Sequence, residues 1–313
     1  MRRNKNLFAP ERRGGTGRIL RTFGAVVILG TAIGLGVYFL FGKGYFTSNK
    51  PVVVDNTQPT VVETVPVVSP EDLVRNGNHI VKADDYAYAT KDVRDWMTGK
   101  VPYTGEKLVF LTFDDGPNTG STAKILDVLK EEGVPGTFFV IGTSVEKAGS
   151  GEVLNRILEE GSSVALHTYS HVYEKLYPKN TGDAAYIQEE LVKLVDAIRT
   201  ATGKADFDSK VLRYPGGHMS WKGMDKVDEA IGGLGIEYVD WNAINGDSEP
   251  TSRRPKDAQA MADFVFDSLN YTKIKSVVVV LMHDATNKPL TPESLPLIIA
   301  EFKEQGYKFG ILK

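Results

Sequence analysis

Two of the chain's five histidines stand four residues apart, in His167-Thr-Tyr-Ser-His171. If that segment takes one helical turn, its two imidazoles share a face and can hold one ion. Asp114 and Asp115 form a second reactive pair, in Thr112-Phe-Asp-Asp-Gly-Pro117. A carboxylate from Asp115 added to His167 and His171 makes a set of two histidines and one aspartate. Such a set leaves positions on a divalent metal, zinc first, open for water and a substrate oxygen. Successive side chains of a strand point to opposite sides, so the two aspartates do not easily share one ion. One would bind the metal and the other would act as base on a water, and the spacing alone does not say which. Gly116-Pro117 makes the turn that exposes both carboxyls.

Three further groups extend this chemistry. Arg213, in Arg213-Tyr-Pro-Gly-Gly217, can pair with a carboxylate and keep it ionised. Gly216 and Gly217 leave backbone amides uncovered, as an oxyanion site needs. Asp247 and His283 suit an Asp–His pair acting as general acid. His79 and His218 read as groups outside the site. The chain has no cysteine, which excludes disulfides, thiolate metal sites and thiol nucleophiles.

Asp114 and Asp115, His167, Arg213 and His283 each come at the end of an apolar run. Strand-like runs appear at 108–113, 137–141, 163–166, 211–214, 236–241, 277–282 and 307–312. Amphipathic stretches predict helices at 122–132, 184–200, 257–268 and 292–305, with a shorter one near 91–97. Seven strands alternating with helices predict an α/β fold with a parallel sheet, open or closed into a barrel. Reactive residues at the C-terminal ends of such strands converge on one mouth.

The chain's start differs in kind. Residues 1–21 carry seven basic residues against Glu11 alone, so with a total of −3 the remainder carries −9. An acidic body excludes the basic footprint of nucleic-acid binding. Thr22 to Phe41 is a run of 20 residues without a charge, long enough to span a bilayer core. The basic excess before it predicts an N-terminus inside the cell and the rest outside, at the cell membrane. A cleaved signal peptide is the rival reading, but no clear cleavage site follows. The expected organisation is a cytoplasmic tail (1–18), a transmembrane anchor (19–41) and a Pro/Val/Thr-rich linker (42–70). A lead-in segment (71–105) and a catalytic domain (106–313) follow. Stretched, residues 47–70 reach on the order of 70 Å, at about 3.1 Å per residue.

Thr112-Phe-Asp-Asp-Gly116, His167-Thr-Tyr-Ser-His171, Arg213-Tyr-Pro215 and Leu281-Met-His283 together resemble the ordered motifs of the polysaccharide deacetylases. That family carries the NodB-homology domain and forms carbohydrate esterase family 4. The resemblance covers roughly residues 105–313 and implies a metal-dependent N-deacetylase on a distorted (β/α)7 barrel. It implies that Asp115, His167 and His171 bind the metal, usually zinc, and that Asp114 is the general base. Arg213 would hold Asp114, and His283, partnered by Asp247, would protonate the leaving amine. Gly216, Tyr214 and Trp241 would serve the oxyanion and the substrate. Two positions depart from the family pattern. Gly216 stands where the third motif often ends in an aromatic residue, and Asp247-Ser248 where the fourth usually reads Asp-Trp.

The wording of these motifs is similar to that of Gram-positive cell-wall deacetylases. The expected substrate is therefore peptidoglycan, at its N-acetylglucosamine or N-acetylmuramic acid. The alternatives are an O-acetyl esterase on xylan or exopolysaccharide, and a non-catalytic wall-binding module. The second has no need of Asp114, Asp115, His167, His171, Arg213 and His283 together.

Overall fold

The computed structural model describes residues 68–313. The basic tail, the anchor and almost all of the linker lie outside the described residues. Among the described residues, no helix is long and apolar enough to cross a membrane. The strands are β1 (Ala87–Tyr88), β2 (Leu108–Asp114), β3 (Thr137–Val140), β4 (Ser163–Leu166), β5 (Val211–Leu212), β6 (Glu237–Tyr238), β7 (Ala243–Ile244), β8 (Val277–His283), β9 (Lys308–Phe309) and β10 (Ile311–Leu312). The main sheet is parallel throughout, in the order β6-β5-β4-β3-β2-β8-β7, with β9 pairing to the start of β2. It curls as a half-barrel with an open seam between β6 and β7.

Alternation along the strands fills this curled sheet on both faces. Leu108 and Phe110 of β2, Phe139 of β3, Ala165 of β4, Val211 of β5 and Val277 and Val279 of β8 pack into one buried cluster on the concave side. Their neighbours Val109, Leu111, Phe113, Phe138, Val164, Leu166, Val278, Val280 and Met282 join the larger cluster under the helices. A parallel strand buried on both sides reads as a continuous apolar run, which is why β2 and β8 stand out in the sequence.

The expected helices form at Ser121–Glu132, Ala184–Thr202, Ala258–Leu269 and Leu290–Glu304, with Thr90–Met97 before the sheet. Local chemistry sets their ends. Gly133, at φ 64°, closes the first. The carboxylates of Asp183 and Asp257 accept the backbone N–H of Tyr186 and Ala260 at the starts of the second and third. Helices at Ser150–Glu159 and Met224–Gly232 fall outside the sequence expectation.

Two strand expectations need correction. The run expected at 236–241 forms only the short β6, and the chain then re-enters the sheet as β7 beside β8. The run at 307–312 is cut in two at Gly310, where a Cβ would press on Phe110 and Tyr88. Its second half, β10, leaves the main sheet and pairs with β1.

The lead-in packs at the end where the strands begin. Asn78 O accepts from Val164 N at the start of β4, and Gly77 O accepts from Asp208 N ahead of β5. The described chain therefore enters at the end of the sheet opposite the strands' C-terminal mouth.

Candidate active site

Strand parity carries most of the reactive groups to that mouth. Asp114 is in phase with Leu108 and Phe110, His167 with Ala165, Arg213 with Val211, and His283 with Val277 and Val279, all concave-facing positions. Asp114 and His283 are also direct partners in the β2–β8 register. Asp115 is out of phase. Its φ of 81° turns the backbone left-handed and swings its carboxylate back to the mouth. The strict alternation expected for the two aspartates is thereby corrected: Asp114 Oδ2 and Asp115 Oδ1 each lie 3.7 Å from His167 Nε2.

The histidine segment is also not a helical turn. Residues 167–172 are irregular, and Thr168 and His171 take φ values of 69° and 55°. This loop brings the two rings to a centroid separation of 5.0 Å. Buried Glu190 holds it by accepting the Ser170 N–H at 2.6 Å. One donor atom from each of Asp115, His167 and His171 lies within 4.8 Å of the others.

The donor chemistry fits a divalent cation. His167 Nδ1 lies 2.7 Å from the Arg213 carbonyl, which can only accept, so Nδ1 carries the proton and Nε2 keeps its lone pair. Burial first, then the neighbouring His171, push His167 down to about 3, so the ring is neutral as a ligand must be.

Arg213 is fully buried, and its Nη1 donates to Asp114 Oδ1 at 2.8 Å and to Thr112 Oγ1 at 2.7 Å. Burial pushes the Asp114 carboxyl upward, while Arg213 and His283 pull it back. On the other wall, His283 Nδ1 donates to Asp247 Oδ1 at 2.7 Å. Asp247 Oδ2 accepts the His283 N–H at 2.8 Å and the Thr291 hydroxyl at 3.1 Å. Burial opposes charge on His283, but Asp247 and then Asp114 and Asp115 overcome it and raise the imidazole to about 9.

The three groups expected at the oxyanion and substrate fare differently. Gly216 is exposed, at φ 79°. Trp241 is half-buried near Gly217 and 5.7 Å from the Arg213 guanidinium. The side chain of Tyr214 is a correction. It is fully buried and its hydroxyl donates to Asp228 Oδ1 at 2.9 Å, so only its backbone is left for substrate. His218 lies off the metal set, with its ring bonded to Asp228 at 2.8 Å and stacked on Tyr238. His79 is buried in the lead-in, between Asn78 and Asp84.

Sequence reasoning missed Glu190, Asp284, Tyr173 and Trp221. Asp284 is fully buried beside Gly116, where a Cβ would collide with its carboxylate. Its Oδ2 accepts from Thr122 at 2.6 Å, and its Oδ1 has no partner. Burial, joined by the charges of Asp115 and Asp114, raises it to about 7 against the Thr122 hydrogen bond. Its place directly after His283 was the available signal. Glu190 gave none, because it lies within a helix that reads as ordinary.

The polysaccharide deacetylase family model matches residues 102–239. A solved CE4 esterase from Streptococcus mutans is 39% identical, with a TM-score of 0.74, and the match covers 79% of this chain and 100% of that one. The peptidoglycan-N-acetylmuramic acid deacetylase PdaA of Bacillus subtilis strain 168 is 30% identical over 66% of this chain and 70% of its own length. A chitooligosaccharide deacetylase from Bradyrhizobium sp. strain ANU 289 is 31% identical over 66% of this chain and 89% of its own.

Proposed function

The chain belongs to the polysaccharide deacetylase family, carbohydrate esterase family 4, and from that premise we propose that its substrate is peptidoglycan, deacetylated at an N-acetylated amino sugar. The observation that carries the reaction is the meeting of three elements at one mouth. These are the Asp115–His167–His171 donor set, the Asp114–Arg213 pair and the His283–Asp247 pair. The choice of polymer rests on the relative that acts on peptidoglycan and on the sequence of residues 1–70, which suits a membrane-held protein facing the wall. The chitooligosaccharide deacetylase keeps a second glycan in the comparison below.

A divalent cation held by Asp115, His167 and His171, zinc by our reading, would polarise the acetamide carbonyl and lower the pKa of a nearby water. Asp114 takes a proton from the water as its oxygen attacks the carbonyl carbon. Arg213 fixes that carboxyl in place and balances its charge before the transfer. Backbone N–H groups around Tyr214 and Gly216 would supply donors to the oxygen that gains negative charge, the Gly217 N–H being already given to the Tyr214 carbonyl. His283, held as an imidazolium by Asp247, gives its proton to the nitrogen as the carbon–nitrogen bond breaks. Acetate and a free sugar amine leave.

The test is acetate release by the full chain from peptidoglycan, from N-acetylated chitooligosaccharides and from acetylated xylan, before and after chelation and return of zinc. We expect release that stops with chelator, recovers with metal and is faster on peptidoglycan. A preference for the chitooligosaccharide would overturn the choice of polymer. Release from acetylated xylan alone would replace the amide by an ester.

A further inference from the structure

We propose that Tyr173 and Trp221 form an aromatic platform that stacks against a pyranose ring of the bound glycan, on the His171 side of the mouth. The inference rests on the deacetylase reading and deepens it by naming side chains that grip the sugar.

Tyr173 lies two residues beyond the second histidine, and its ring centroid is 5.2 Å from that of His171. It is 41% exposed, so a large apolar face is open to solvent beside the metal-binding set. Trp221 continues the surface, its centroid 5.5 Å from that of Tyr173. The indole is fixed on two sides. It stacks on Tyr177 at 4.0 Å and 8°, and Tyr177 is itself buried. Its Nε1 donates to the Pro215 carbonyl at 2.9 Å, which ties it to the Arg213–Gly217 segment.

The two rings border the same point of bare backbone. A Cβ placed on Gly216 would come 3.1 Å from Trp221 and 3.4 Å from Tyr173. A side chain at 216 would compete with them for this space, so glycine there leaves the rings as the lining of the mouth. The carbon-bound hydrogens of a pyranose form an apolar face that lies well on an aromatic ring, whose own face is electron-rich. Rings held in advance by Tyr177 and Pro215 lose little freedom on binding. The platform acts on binding; the reacting groups are those of Asp114 and His283.

The test uses the full, metal-loaded chain with Tyr173→Ala, Trp221→Ala and Tyr173→Phe. Substrates are N-acetylglucosamine oligosaccharides, wall fragments and 4-nitrophenyl acetate, an acetyl ester with no sugar. Each alanine variant should raise KM on the glycan about three- to tenfold, leave kcat within about twofold and leave the ester reaction unchanged. Tyr173→Phe should restore the glycan KM. Because Trp221→Ala also removes the bond to Pro215, Tyr173→Ala carries the test if that variant folds poorly. An unchanged glycan KM in Tyr173→Ala, or an equal loss on the sugar-free ester, overturns the platform. If the unsubstituted chain releases acetate from no glycan, the deacetylase reading itself falls, a result seen before any substitution is made.

Discussion

At Asp114 two influences meet in one carboxyl: burial, which favours the proton, and a fully buried arginine at 2.8 Å, which disfavours it. Arg213 thus works against the burial that raises this carboxyl, as a general base that must give up its own proton requires. Asp114→Asn should therefore lower kcat by about 10²- to 10⁴-fold while metal content by elemental analysis stays at the unsubstituted level. His171→Ala should lose metal and activity together. The acid partner sets the pH profile. His283 must be protonated to act and is raised to about 9, so the rate should fall as pH rises through that value. Asp247→Asn removes the main group that raises it, and a kcat–pH profile should show the alkaline limb at lower pH. These residues were legible in the sequence because a polar residue directly after an apolar strand is conspicuous. The left-handed backbone at Asp115, Thr168 and His171 was not, since such conformations in non-glycine residues follow from tertiary contacts.

The elements under the site explain what can be changed around it. The loop from His167 to Val172 is irregular, and the Glu190 carboxylate on the Ser170 N–H holds it together with the Gly142 and Thr143 N–H groups, which donate to the Thr168 and Tyr169 carbonyls. Glu190→Ala should weaken metal binding about tenfold or more in a chelator competition, whereas Glu190→Gln keeps an accepting oxygen and should restore it. Gly116 is the tight point of the β2 exit, closed against buried Asp284. Gly116→Ala should lower the thermal midpoint and the activity together, because the buried Asp284 carboxylate or the β2 exit itself must move. The long strands β2 and β8 and the capped helices were readable from apolar runs and end signals. The two-residue strands were not, because β7 and β10 hold only two residues each and are placed by the strands beside them. The helix at Met224–Gly232 was within reach, with Met224, Val227 and Ile231 on one face.

For the whole molecule, the metal set joins the end of β2 to the loop after β4, so binding ties together segments distant in sequence. Ligand present at a hundred times its dissociation constant stabilises the folded state by about 2.7 kcal/mol. Chelation should accordingly lower the thermal midpoint measurably, and a midpoint indifferent to chelator would argue against a site of that affinity. The described chain enters at the far end from this mouth, and the first backbone bonds it makes beyond a local turn, Lys82 N to Pro70 O and Val81 N to Asp72 O, belong to the lead-in. That placement has a mechanical meaning. A pull transmitted along the preceding residues would meet this short set of bonds before the β1–β10 pair and the main sheet. In chain order these bonds stand between such a pull and the loops carrying Asp115, His167 and His171. Tension and catalysis are thus assigned to opposite ends of one sheet.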